Sequence, residues 1–191
     1  MGGLDIALIV IGVVVVFVVF WGISVYNKLV VGRNKVKNSF AQIDVQLKRR
    51  FDLIPNLVET VKGYASHEKS IWEGFAKART MYKTAEASGD IEGMSNANNT
   101  VTSTLGRLMM VQEKYPELKA DVQFNKMMSE LTDAENKISL VRQFFNDVVL
   151  KYNNEREVFP ASIIAGLFKF KAEAYFNAGE ESREAPSVSF K

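Results

Sequence analysis

The stretch IALIVIGVVVVFVVFWGISVY, residues 6–26, decides the fold because it carries no charged side chain. A helix of that length is about 31 Å long, which matches the hydrocarbon core of a bilayer. Trp21 and Tyr26 lie at its C-terminal end, where aromatic rings favour the membrane interface. The sequence therefore predicts a short N-terminal flank at residues 1–5 and a transmembrane helix at residues 6–26.

A cleaved signal peptide is the alternative interpretation of this segment. Such a peptide has a basic N-terminal region, a shorter apolar run and a small-residue cleavage site. The run here follows MGGLD, which contains an acid and no base, and no such site comes after it. These features favour a retained anchor.

The orientation of the anchor is predicted from its flanking charges. Four basic residues follow the span with no acidic residue among them: Lys28, Arg33, Lys35 and Lys37. The positive-inside rule then predicts an N-terminus outside the cell and a C-terminal domain in the cytoplasm. These four residues, with Trp21 and Tyr26, form the predicted membrane anchor.

The chain after the span has the pattern of helices. Apolar residues recur at steps of three and four from Val36 to Ala65, which predicts one long helix over residues 28–65, kinked near Phe51 by Pro55. Three further apolar stripes follow, at residues 71–85, 101–115 and 124–152, and a loop is predicted at residues 87–99. No useful period-two alternation predicts a strand. We expect an all-α fold in which the transmembrane helix continues into a long antiparallel bundle of four helices, the first and last long, over residues 27–157.

A second apolar segment at residues 158–171 follows the last long helix. Its membrane-proximal residues are Phe159, Pro160, Ile163, Ile164, Leu167 and Phe168. The segment is too short to span a bilayer. Two expectations stay open, that it lies in the membrane interface or that it folds back to cap the bundle. Residues 172–191 are predicted to form a flexible polar tail.

Composition and motifs argue against catalysis. The formal net charge of +2 is too balanced to indicate nucleic-acid binding, and there is no cysteine to form a disulfide or a thiolate site. The single histidine, His67, lacks the second ligand of an HExxH site, and no nucleotide-binding or nucleophile-elbow motif occurs. The sequence predicts no catalytic, metal or cofactor site and identifies no small-molecule substrate.

A dense run of polar residues in the first long helix is the candidate interaction surface. Its members, with residues expected at a comparable height on the last helix, are Asp44, Arg49, Arg50, Asp52, Asn56, Glu59, Glu135, Asn136 and Arg142. The alternative is an ordinary solvated helix face. We expect an ion pair between Arg50 and Glu135 or between Arg49 and Glu130. Two interpretations also apply to Asn146, Asn153 and Asn154, which either hydrogen-bond across helices or face solvent.

Three stretches of the chain resemble the LemA family of bacterial membrane proteins. They are YNKLVVGRNKVKNSFAQIDVQLKRRFDLIPNLVETVKGYASHE (26–68), LGRLMMVQEKYPELKADVQF (105–124) and AENKISLVRQFFNDVVLKYNNEREVFPASIIAGLFKF (134–170). Two positions depart from the family pattern, Lys169 where glycine is frequent and Ser162 where asparagine is frequent. The resemblance implies a single N-terminal anchor in the bacterial inner membrane and an antiparallel helical bundle, and it implies little about chemistry.

The leading functional hypothesis is a single-pass membrane scaffold or protein-interaction module without catalytic activity. Its expected partners are the lipid bilayer and either further copies of the chain or other membrane proteins, with no nucleic acid. Self-association is expected because Val36, Phe40 and Phe145 would be poorly covered where only two helices meet. The alternatives are a sensory or signalling bundle that binds a ligand and an accessory subunit of a membrane enzyme or protease complex.

Overall fold

The structure is a computed structural model that describes residues 2–177. Its helices are α1 (Gly3–Tyr64), α2 (Lys69–Ser88), α3 (Ile91–Gln112), α4 (Pro116–Ala120), α5 (Val122–Glu157) and α6 (Ala161–Leu167). No strand occurs in this part of the chain. The all-α prediction is confirmed, with a long first helix of 62 residues and a long α5 of 36 residues. Two short helices, α4 and α6, are added to the four that the sequence predicted.

The described residues divide into two compact units. The first, here called the anchor unit, contains residues 2–40 and 147–173. The second, here called the bundle unit, contains residues 41–146 and 174–177. Both α1 and α5 contribute residues to each unit, and each unit is described separately below.

The N-terminal part of α1 is the candidate membrane span. Among the described helices, α1 is the one long and apolar enough to cross a bilayer, and none of the other described residues covers its apolar stretch. Large apolar side chains from Ile6 to Phe20 are exposed. A continuous exposed apolar surface of this length needs a non-aqueous surrounding, which the bilayer supplies.

The bundle unit is built on the predicted apolar stripe of α1. Ile43, Leu47, Phe51 and Ile54 are all buried. The stripe drifts at its end, where Leu57 is fully buried while Val58 is only half-buried. An ideal helix turns slightly less than a seven-residue repeat requires, so the inward face moves gradually around its axis.

The predicted loop at residues 87–99 is wrong, because α3 already begins at Ile91. Helix α2 ends in a tight turn at Gly89, whose φ of 67° is a conformation that glycine adopts without strain. The N–H of Asp90 donates to the carbonyl of Ala85 and the N–H of Gly89 to that of Glu86, which is a Schellman ending. The polar residues after Gly89 belong to α3, whose buried face includes Met94 and Ala97.

Asp121 is the N-cap residue of α5, the last long helix. Its carboxylate Oδ1 accepts a hydrogen bond of 2.7 Å from the N–H of Phe124, and Oδ2 accepts one of 2.9 Å from the Tyr64 hydroxyl. These donors lower the pKa of Asp121 below its ordinary value, the Phe124 N–H contributing most. The cap fixes the start of α5 at Val122.

The end of α6 is also a Schellman motif, within the anchor unit. The N–H of Phe170 donates to the Ala165 carbonyl at 2.9 Å, and the N–H of Lys169 donates to the Gly166 carbonyl at 3.2 Å. Lys169 therefore takes a left-handed conformation, with φ of 56°. Phe170 and Ala165 then pack with Leu29 of α1 in a small apolar cluster.

Residues 172–177 differ from the flexible tail that the sequence suggested. They are held by hydrogen bonds to α5 side chains, and Phe176 is completely buried. The rest of that predicted tail, residues 178–191, lies outside the described residues. Val36 and Phe145 are buried and Phe40 is half-buried, so the poor coverage expected to drive self-association is absent at these three positions.

Candidate interaction surface and membrane contact

Arg50 is the most deeply buried member of the predicted interaction surface, with 1% of its surface exposed. Its guanidinium forms an ion pair with Glu135 of α5 and donates hydrogen bonds to Asn98 Oδ1 and, at 3.1 Å, to Thr102 Oγ1 of α3. The arginine therefore joins three helices of the bundle unit rather than facing solvent. Burial lowers its pKa and the Glu135 carboxylate opposes that shift, while an arginine remains charged at neutral pH.

The two predicted ion pairs are both present. Arg49 Nη2 lies 3.9 Å from the Glu130 carboxylate, and this pair is partly exposed. The pair of Arg50 with Glu135 differs because Arg50 is removed from water. A buried charge whose partner is removed is strongly destabilising, whereas an exposed pair contributes little. The alternative interpretation of an ordinary solvated helix face is therefore wrong for Arg50.

Asp44 is engaged inside the bundle unit as well. Its carboxylate accepts a hydrogen bond of 3.4 Å from the Tyr82 hydroxyl of α2, which also lies 3.4 Å from the Glu86 carboxylate. The Tyr82 ring stacks on Phe51 with centroids 4.2 Å apart. Burial, reinforced by the two carboxylates, raises the pKa of Tyr82 far above its ordinary value, so its hydroxyl stays protonated and acts as a donor.

The remaining members of the predicted surface lie near water. Asp52, Asn56, Glu59 and Asn136 are exposed, and Arg142 is half-buried with a contact of 3.4 Å to the Ser139 hydroxyl. The predicted surface thus separates into a buried network around Arg50 and Asp44 and an exposed polar face. Only the exposed face is accessible to a partner.

Two exposed apolar residues adjoin Asn136 on α5. Leu140 and Phe144 are 70% and 55% exposed, and they follow Asn136 at intervals of four residues, so the three side chains share one helix face. We call Asn136, Leu140 and Phe144 the α5 patch. Sequence reasoning took the neighbouring apolar positions as core and missed this face.

Sequence reasoning also missed Asn98 and Thr102, the partners of Arg50 on α3. Asn98 lies three residues before Val101 and seven before Leu105, and both of these residues are buried. Because this is helical spacing, Asn98 lies on the apolar face of α3. A polar residue at such a position signals a buried hydrogen bond. Asn98 Nδ2 and Arg50 Nε find no hydrogen-bond partner among the described residues.

The anchor unit holds the predicted membrane residues together around α6. The Tyr26 ring lies edge-on to Phe168 and Phe170, with centroids 4.8 and 5.6 Å away. The Arg33 guanidinium lies over the Phe170 ring at 5.4 Å, a cation–π contact. Through these contacts, the aromatic residues that follow α6 pack against the part of α1 at the end of the span and just after it.

The other predicted anchor residues flank this contact. Trp21 is half-buried, and Lys35 and Lys37 are exposed. The Lys28 ammonium lies 3.4 Å from the Glu155 carboxylate, and its side chain is 68% exposed. Exposed lysines next to an apolar span suit the headgroup region of a bilayer.

Helix α6 has two different faces. Ile164 and Ala165 turn towards α1, where Val25, Leu29 and Val30 contribute to the same apolar cluster. Pro160 precedes the helix as its N-cap residue. The other face is exposed and apolar, with Phe159 at 76%, Ile163 at 58% and Leu167 at 71%.

The segment after α6 is fixed by asparagine side chains of α5. In the anchor unit, Asn153 exchanges two hydrogen bonds of 3.0 Å with the backbone of Glu173, and the Tyr152 hydroxyl donates to the Lys171 carbonyl at 3.1 Å. In the bundle unit, Asn146 exchanges two bonds of 3.1 and 3.0 Å with the backbone of Phe176. The solvated interpretation of Asn146 and Asn153 is wrong, whereas Asn154 is exposed.

Comparison with known proteins identifies relatives over most of the chain. The model described as the LemA family matches residues 39–190. Magnetosome protein MamQ 2 of Paramagnetospirillum magneticum is 28% identical over 174 residues, which cover 79% of this chain and 64% of that protein. Magnetosome protein MamQ of Magnetospirillum gryphiswaldense is 25% identical over 189 residues, covering 85% and 70%. Protein LemA of Metamycoplasma hominis is 24% identical over 159 residues, covering 82% and 71%. The chain thus spans a little under two thirds of the length of the first of these relatives.

Proposed function

Because the chain belongs to the LemA family, we propose that it is a membrane-anchored helical scaffold that works by binding other proteins. The main support for this proposal is the structure of α1. One helix, Gly3–Tyr64, contains both an exposed apolar segment long enough to cross a bilayer and the buried stripe that builds the bundle unit. A single element thereby fixes a folded module to a membrane.

We place the anchor in the bacterial inner membrane, with the N-terminus outside and the bundle unit in the cytoplasm. Support comes from the four basic residues that follow the span, Lys28, Arg33, Lys35 and Lys37, because translocated flanks are poor in lysine and arginine.

Binding rather than catalysis is favoured by how the polar side chains of the bundle unit are used. Arg50 forms an ion pair with Glu135 and donates a hydrogen bond to Thr102, and Asp44 accepts one from Tyr82, so both side chains bond to other helices of the unit. Polar groups paired in this way hold helices in register. A catalytic group would instead have to reach a substrate.

The α5 patch is the proposed contact surface. Its apolar pair, Leu140 and Phe144, lies beside the polar Asn136, as in interfaces where aromatic and aliphatic anchors are bordered by polar groups. Self-association through this patch replaces the mechanism expected from the sequence, in which Val36, Phe40 and Phe145 were poorly covered.

The test is the mass of the full chain extracted from its membrane in a mild detergent. Light scattering coupled to size-exclusion chromatography should report a complex larger than one copy. A double variant, Leu140→Lys with Phe144→Lys, should reduce that mass to one copy, whereas Met109→Lys with Met110→Lys should not. Both pairs are exposed, so neither change empties the core. A single-copy, partner-free wild-type protein would contradict the scaffold proposal.

A further inference from the structure

The outer face of α6 and the residues on either side of the helix form an exposed apolar surface in the anchor unit. Its members are Val158, Phe159, Ile163, Leu167 and Phe168, and each is more than half exposed. Five large apolar side chains within eleven residues are unusual on a surface that meets water. We call these five residues the α6 outer face.

The depth of α6 follows from the α1 residues that it touches. A methyl group placed on Gly22 would lie 3.7 Å from Ile164 Cδ1, so α6 reaches Gly22. Gly22 lies four residues inside the C-terminal end of the uncharged stretch 6–26, or about 6 Å along the helix axis. If α1 crosses the bilayer, α6 is therefore at the depth where interfacial helices bury their apolar faces, roughly 5–10 Å into the boundary between headgroups and acyl chains.

The charges around α6 have the sign that such a position needs. Lys169 and Lys171 follow the helix directly and are exposed, and Arg33 covers the Phe170 ring. Long basic side chains beside a shallowly buried apolar face extend to the lipid phosphates. No acidic residue occurs from Val158 to Lys171.

We propose that α6 is a second membrane contact, in which the α6 outer face inserts into the leaflet at the C-terminal end of the span and Lys169 and Lys171 contact anionic headgroups. The inference rests on the proposed membrane anchor and goes beyond it. An anchor of one helix leaves a module free to rotate about the helix axis. A second contact beside it fixes which side of the anchor unit faces the membrane.

The absence of cysteine allows the test to be made on the full chain with single spin labels. The chain would be reconstituted into vesicles of phosphatidylcholine and phosphatidylglycerol after Ile163→Cys or Leu167→Cys. Ile9→Cys supplies a reference inside the span, and Ser88→Cys supplies an aqueous reference at the end of α2; all four positions are exposed. Electron paramagnetic resonance would compare accessibility to oxygen, which concentrates in lipid, with accessibility to a water-soluble nickel chelate.

The expected result is that labels at Ile163 and Leu167 resemble the Ile9 label, with high oxygen and low chelate accessibility. Labels at these positions that resemble the Ser88 label, while the Ile9 label remains in lipid, overturn the α6 proposal and leave the anchor intact. Low accessibility to both reagents with dipolar broadening would overturn it in favour of a second protein copy on this face. An Ile9 label in water would overturn both the anchor and the α6 contact.

Discussion

Asn153 and Glu173 are joined by two reciprocal hydrogen bonds, in which the Asn153 side-chain amide donates to the Glu173 carbonyl and accepts from the Glu173 N–H, each at 3.0 Å. One side chain thus satisfies both backbone polar groups of a residue that belongs to no helix or strand. Without it, those groups would need water or another partner. The segment after α6 is held by side chains rather than by a backbone ladder.

Replacing Asn153 by alanine should release this segment. We expect a loss of about 1–3 kcal/mol in the free energy of unfolding, because two partly buried hydrogen bonds disappear together. Hydrogen exchange followed by mass spectrometry should show faster exchange at the Glu173 amide. Asn154→Ala is the matched control, since Asn154 is the next residue of α5 and is exposed. Equal exchange rates in the two variants would show that the Asn153 pair does not hold the segment.

Glu135→Ala should be strongly destabilising because it leaves the buried Arg50 guanidinium without its counter-charge. The expected cost is roughly 3 kcal/mol in the free energy of unfolding, measured by denaturant titration in detergent micelles. Glu130→Ala, which removes the partner of the more exposed Arg49, should cost less than about 1 kcal/mol. Similar costs for the two variants would contradict the structural role assigned to Arg50.

Gly74→Ala should destabilise the bundle unit although alanine is the better helix former. An added Cβ would lie 2.7 Å from the Thr104 hydroxyl oxygen and 3.0 Å from its methyl carbon, so α2 and α3 would have to separate. Gly106→Ala is the control, because nothing lies within 4 Å of its added Cβ. That change should stabilise the protein by about 0.5–1 kcal/mol. Stabilisation by both changes would mean that α2 and α3 do not approach closely at Gly74.

Lys169→Gly should stabilise the anchor unit. Lys169 has a φ of 56°, where a side chain costs roughly 1 kcal/mol that glycine avoids. The thermal unfolding midpoint in detergent should rise. Lys171→Gly removes the same charge at an exposed position without a left-handed backbone, and its midpoint should stay constant or fall. A rise of equal size in both variants would assign the effect to charge rather than to backbone conformation.

The helices and their inward faces could be predicted from the sequence because burial follows apolar spacing. The apolar stripes that include Phe51 in α1 and Phe75 in α2 are buried, as their helical spacing predicts. The boundary between α2 and α3 could not be read in the same way. Polar and glycine residues after Gly89 resemble a loop, although Met94 and Ala97 continue an inward face.

The polar contacts depended on tertiary structure that no local pattern contains. The sequence predicted the pair of Arg50 with Glu135 from their heights along the helices, and missed the burial of Arg50 because Asn98 and Thr102 come from α3. Asn146 and Asn153 likewise bond to backbone groups that lie 30 and 20 residues further along the chain. Helical periodicity does not predict where such distant residues lie. Such long-range pairs are visible only once the chain is folded.

The proposed orientation, in which α1 holds the bundle unit on the cytoplasmic side of a membrane, can be tested by one labelling measurement. A Ser88→Cys chain has a single thiol at an exposed position of the bundle unit. Intact cells would be treated with a membrane-impermeant maleimide, and the treatment would be repeated after permeabilisation. We expect a membrane-bound protein that is labelled only after permeabilisation. Labelling in intact cells would contradict the proposed orientation, and a protein that washes off the membrane at alkaline pH would contradict the anchor itself.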